Sequence, residues 1–310
     1  MKKIAYLISA ISAALFSSAA NAEVSVSGSA TFAYIDAGGN TSSVNGGGVS
    51  FGLSTTTDAG VTVSSGAGIS LDSDSVGNSS AVTGSTYISF GFANGSITVG
   101  DDVGVADGKG KVGELVTYAD TNQTGITNSV GIGDDEGSGI AASTSIGDMT
   151  LSVQYVWDGA GAGDVDGAAT TSQGASLTIP VGAGSLVLAT ASDDLGGTNM
   201  TETAAAYTLA AAGGTVSVGF TGTSGDTASK EGEAISVAYS TTMGGLDIGV
   251  GYTGHDANSK TAQITDIVVS SSLGGGASIF AEYSNASGTV AAESSTVSNN
   301  VLAVGTSVSF

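Results

Sequence analysis

The sequence predicts an all-β chain: a single transmembrane antiparallel β-barrel, closed on itself. Three observations carry that expectation. Segments of roughly nine residues alternate apolar with small or polar side chains, the period of a strand with one apolar and one polar face. Very short connections, such as Asn94-Gly95, Gly213-Gly214, Gly244-Gly245 and Gly274-Gly275-Gly276, alternate with long ones at 72–82 and 101–139. The large apolar groups share one parity, while the other parity holds Ser, Thr, Gly and charge. A soluble barrel would bury the large apolar groups, so lipid outside and water inside is the arrangement that fits.

Taken in chain order, residues 1–22 read as a secretory leader. Lys2 and Lys3 precede an apolar run over 4–16, and Ala20-Asn21-Ala22 offers a small-x-small cleavage site before Glu23. The remaining 23–310 is expected to be one domain, with no other stretch near the ~18 apolar residues of a spanning helix. Sixteen candidate strands follow, near 24–35, 47–56, 61–71, 83–93, 96–100, 140–145, 149–157 and 171–179. The second half supplies 185–191, 201–210, 215–221, 233–240, 246–253, 261–273, 277–283 and 300–310. The sixth is poorest in apolar residues, 131–145 being mostly Gly, Ala and Ser, and fourteen strands is the alternative count. An even number returns both termini to one side, where the first and last strands can pair and leave no edge.

Parity assigns the faces. Leu151, Val153, Tyr155 and Trp157 share one face, as do Leu246, Ile248, Val250 and Tyr252; Ile279 with Tyr283, and Leu302, Val304, Val308 with Phe310, repeat the pattern. The opposite faces carry Gln154 and the acids Glu202, Asp247, Asp266 and Glu282, expected on the inner wall. Tyr34, Tyr155, Trp157, Tyr252 and Tyr283 each precede a long connection, whereas Phe90, Phe92 and Tyr239 precede short turns. Such placement predicts two aromatic girdles at the headgroup levels. The outward faces of the first and third strands include Gly28, Ala30, Ser65 and Ala67, small enough for close packing between barrels.

Charge narrows the partners. The chain has 50 Gly, one Pro, no Cys and a formal net charge of −22. It has no arginine, and without Lys2 and Lys3 it sets four lysines against 28 acids. Such a chain repels nucleic acid and attracts cations. Paired acids at Asp72/Asp74, Asp101/Asp102, Asp134/Asp135/Glu136, Asp164/Asp166 and Asp193/Asp194 read first as solvated loop residues. Bound Ca²⁺ at one of them is compatible with oxygen ligation, though no cofactor is required. His255, the sole histidine, is expected in a loop over 254–260 and has no nucleophile-elbow partner. The run from Gly104 to Lys109 has three residues between its glycines where a phosphate loop needs four, and Gly110 follows in place of Ser or Thr. No enzyme is expected.

The cleavage site, the opening Glu23-Val24-Ser25-Val26-Ser27-Gly28 and the last strand from Val301 to Phe310 together resemble the general porins of Gram-negative outer membranes. The resemblance is nearest to the sixteen-stranded alphaproteobacterial type. It implies an outer-membrane channel set in lipid and lipopolysaccharide, assembled as a homotrimer. Phe310 resembles the terminal signal read by the outer-membrane assembly machinery. It also implies that the loop over 101–139 folds inward and narrows the pore. Asp101, Asp102, Asp107, Lys109, Lys111, Glu114 and Asp120 are then the expected constriction residues, and carboxylates there favour cations. One departure is plain: the family commonly sets arginines across the pore from an acidic loop, and this chain has none. A secreted Gly-rich β-solenoid or adhesin without channel activity is the competing reading; it calls for a fixed repeat, and none is found.

Overall fold

The computed structural model describes residues 23–72, 86–101, 103–105, 109–110, 112–113, 115–119, 138–157, 170–195, 199–226, 231–257, 260–289 and 296–310. Its first eight strands are β1 Glu23–Ala37, β2 Asn40–Thr56, β3 Thr62–Asp72, β4 Thr86–Phe92, β5 Gly95–Asp101, β6 Ser138–Ile146, β7 Met149–Trp157 and β8 Thr170–Val181. The rest are β9 Gly184–Leu195, β10 Asn199–Ala211, β11 Gly214–Gly225, β12 Gly232–Met243, β13 Leu246–Ala257, β14 Lys260–Gly274, β15 Ala277–Thr289 and β16 Thr296–Ser309. Each pairs antiparallel with its chain neighbours, and β1 pairs with β16, so the sheet closes. The sixth strand is real, laddered to β5 and β7 on either side, which excludes fourteen. Sixteen strands leave an aqueous lumen rather than a packed interior.

Parity holds along the strands. On β16, Val304 is 43% exposed while adjacent Ala303 is 0% exposed. Outward and inward residues alternate likewise on β7 and β12. The start of β1 and the last residue of the chain lie beside the short turns: Phe310 N–H donates to Gly28 O at 3.0 Å, Gly28 N–H returns one at 3.1 Å, and Ser309 N–H reaches Gly276 O at 2.9 Å. The Phe310 ring lies over Gly28.

Strands run further at the other end than alternation shows. β2 begins at Asn40, not near 47, and the first connection is only Gly38-Gly39, with φ of +64° and +97°. Two left-handed residues in succession are what a tight twisted hairpin needs, and glycine supplies them without strain. The expectation that every connection at this end is long is therefore corrected. Beyond the lipid both faces of a strand meet water, so pairing continues where the apolar rhythm stops.

Three further placements differ from expectation. Asp101 closes β5 opposite Ser138 instead of opening the loop. His255 sits within β13, sharing the inward parity of Gly251 and Thr253, not in a loop. Asp193 and Asp194 lie in β9, the first buried inward and the second exposed outward, so they form no joint cation site. Among the aromatics, Tyr34, Tyr155, Trp157, Tyr252 and Phe92 are exposed on the outer face, while Tyr283, Phe90 and Tyr239 are half-buried. Tyr239 donates its hydroxyl to Ala212 O (3.0 Å), and Tyr207, which sequence reading missed, donates to Val181 O (3.1 Å). Each hydroxyl ties a ring edge to the turn of a preceding hairpin.

Candidate functional site: the inner loop

The described residues of the connection between β5 and β6, which fall between 103 and 119, lie against the inside of the barrel. Its local sequence allows close approach: a Cβ on Gly110 would run into the Phe220 carbonyl and Thr221 Oγ1, and one on Gly113 into the Tyr252 carbonyl. The wall answers with Gly219 and Gly251 at the same two places. Backbone therefore packs on backbone, and the loop's amides need wall acceptors because water is excluded there.

Those acceptors come from β7, next to the end of the connection, and from the distant strands β12, β14 and β15. Gln154 Oε1 on β7 accepts from Val105 N–H. Ser236 on β12 accepts from Val112 N–H at 3.1 Å and donates to Gly110 O at 2.7 Å. Asp266 on β14 accepts from Leu115 N–H through Oδ2 at 3.1 Å and from the Ser284 hydroxyl through Oδ1 at 2.6 Å. Glu282 on β15 gathers three consecutive amides on Oε2: Thr117 at 3.0 Å, Tyr118 at 2.6 Å and Ala119 at 3.0 Å. Successive N–H groups converging on one anion are a strong, directional arrangement. Tyr118 also stacks on Phe280 (centroids 5.1 Å apart, planes at 20°), and Ala119 packs with Ile35, Val301 and Ala303.

This geometry changes the reading of the wall acids. Glu202, Asp266 and Glu282 face inward as parity requires, yet they are only 2%, 1% and 5% exposed. Asp266 and Glu282 lie behind the loop and hold it, rather than facing it across open water. Parity tells which face a residue occupies, not what covers that face. Asp247 alone of the four is exposed, near the short-turn mouth, where its Oδ1 accepts the Thr242 hydroxyl at 2.6 Å. Of the expected constriction residues, Lys109 is exposed, and Asp101 contributes its backbone to β5. Asp102, Asp107, Lys111, Glu114 and Asp120 lie outside the described residues. Gln154 was legible as an inward polar group; Ser236 was not, since nothing local distinguishes it from other inward hydroxyls, whereas Phe280, a large ring at the inward parity of Glu282, was a signal that sequence reading missed.

Strands β3–β5 carry none of these loop contacts among the described residues, and β2 adds only Val44, packed against the cluster around Ala119. Inward positions of β2–β5 include Ser50, Ser64, Tyr87, Ser89, Ser96 and Thr98, with no lysine there and one carboxylate position, Asp72 at the end of β3. Inner-face hydroxyls pair across strands, as in Thr98 to Ser89 at 2.9 Å, Ser152 to Ser143 at 3.3 Å and Ser278 with Ser307 at 2.7 Å. The lumen thus runs between an anchored loop and a hydroxyl-rich wall that carries no base.

A family described as Gram-negative porin matches residues 9–299 of this chain. The chain belongs to the Gram-negative porin family. Solved structures agree on the fold. A variant of the Rh. blastica porin with an aspartate and a glutamate changed to alanine superposes with TM-score 0.64 at 17% identity, covering 93% of this chain and 100% of that one. A variant carrying an introduced lysine gives 0.65 at 18% identity, with the same coverage of 93% and 100%. A Rhodopseudomonas blastica porin triple mutant gives 0.62 at 17% identity, again over 93% and 100%. A search of curated protein sequences finds no match. This porin is accordingly an outer-membrane β-barrel channel and not an enzyme. Among the described residues no group of three or more His, Cys, Asp or Glu is placed to hold a metal ion.

Proposed function

We propose that this porin passes small hydrophilic solutes and ions by passive diffusion and prefers cations. The observation that carries the preference is electrostatic: 28 acids, no arginine, and no base on the inward face of β2–β5 opposite the anchored loop. Asp107 and Glu114 are the loop acids assigned to selectivity. Each unit charge near a passing ion is worth about 1 kcal/mol at roughly 4 Å in water. Reversal potentials under a KCl gradient test this: cation preference is expected, falling severalfold in the double variant Asp107→Asn/Glu114→Gln. Anion preference, or no change in that variant, overturns it.

Residues 1–22 are read as a leader removed on export, and the barrel as a homotrimer. Ala30 and Ala67 are exposed on the outer face, with half-buried Ser65 between the first pairs of strands, and Phe310 fills the space over Gly28. Mass measurement of the detergent-solubilised protein is expected to give three chains; a monomer at all concentrations refutes the trimer.

A further inference from the structure

We propose that the short-turn half of the lumen holds a retention site for a small, positively charged, hydroxylated solute, an aminosugar being the representative chemistry. The proposal rests on the reading of the chain as a diffusion channel. Beside Leu115 of the loop is a cavity of about 570 Å³, lined by residues of β12–β14 and by the β10–β11 turn and start of β11 at Gly213–Thr215, with Leu115 as its roof. Register places Ser240, Thr242, Asp247, Val268 and Ser270 on the inner face. The hollow exists because Gly249, between them, has no side chain: a Cβ there would stand 3.1 Å from Leu115 Cδ1. The roof is fixed, since Leu115 N–H is bound by buried Asp266.

The lining selects a ligand class. Leu115 and Val268 offer apolar surface to the CH face of a sugar-sized ring, and the three hydroxyls donate or accept at its edge. Asp247 supplies a negative charge oriented by the Thr242 hydroxyl, and no lysine lines the cavity. An ammonium is attracted there and an acid repelled. A cavity of this size suits a small organic molecule, whereas a bare inorganic cation needs neither the apolar roof nor the hydroxyls.

Saturation-transfer difference NMR on the detergent-solubilised protein at about pH 6, where an amine stays protonated, tests the site with glucosamine, glucose and gluconate. Glucosamine is expected to bind about fivefold more tightly than glucose, with gluconate weakest. Asp247→Asn should bring glucosamine down to the level of glucose, while Asp148→Asn, in the β6–β7 turn outside the cavity, leaves it unchanged. Gly249→Leu, which fills the hollow without altering charge, should abolish both signals. Equal binding of glucosamine and glucose by the unaltered protein, an unchanged signal in Asp247→Asn, or binding that survives Gly249→Leu overturns the proposal. KCl conductance in a planar bilayer is read separately: its absence refutes the diffusion channel, and the NMR result still decides the cavity.

Discussion

Replacing Glu282 by alanine is expected to release the loop from the wall and expose it to protease. Three amides, from Thr117, Tyr118 and Ala119, share the Glu282 carboxylate. Bonds to a charged acceptor are worth about 1.5–3 kcal/mol each, and a buried amide left without a partner costs about 1–3 kcal/mol. Even allowing for strong coupling among three bonds to one oxygen, the loop loses roughly 3 kcal/mol or more of anchoring. Lys109 then becomes a reporter. Trypsin added to the intact barrel should leave the bond after Lys109 uncut, while the Glu282→Ala protein is cleaved there and its single-channel current loses a steady level. Glu282→Gln, which keeps an acceptor oxygen without the charge, should fall between the two. Protection equal to the unaltered protein in Glu282→Ala would show that Asp266, Ser236 and the Tyr118–Phe280 stack hold the loop alone.

Val250→Lys carries the second large effect, through the bilayer instead of the lumen. Val250 is 43% exposed and central in the outward series Leu246, Ile248, Val250, Tyr252, opposite Ile267 on β14. A lysine on the lipid face near the midplane costs roughly 2–4 kcal/mol. Denaturant titration of the barrel folded into vesicles should show that loss, with the slope unchanged. A neutral result would mean that this face of β13 is not in lipid.

How legible was this in the residues? The number of strands, their parity and their closure follow from a pattern within each segment. Lipid outside and water inside act on every second side chain, so Leu302 and Val304 declare their face without knowledge of any partner. The exposed outer rings of Tyr34, Tyr155, Trp157 and Tyr252 declare their face for the same reason. Where that constraint ends, so does legibility: β2 continues to Asn40 through residues that alternate nothing, because backbone pairing needs no particular side chain.

The candidate site is different in kind. Sequence alone determined that Glu282 and Asp266 point inward and that the 101–139 connection is long. Only the tertiary structure decided that these acids lie behind the loop as its anchors, leaving Asp247 as the exposed one. Thr117 meets Glu282 across 165 positions of chain, and Gly113 meets Tyr252 only because the loop turns back inside the closed barrel. Local alternation reports the medium that a face meets on average. It holds no information about which distant backbone will cover that face, and that pairing determines whether a carboxylate binds a passing cation or three amides of its own chain.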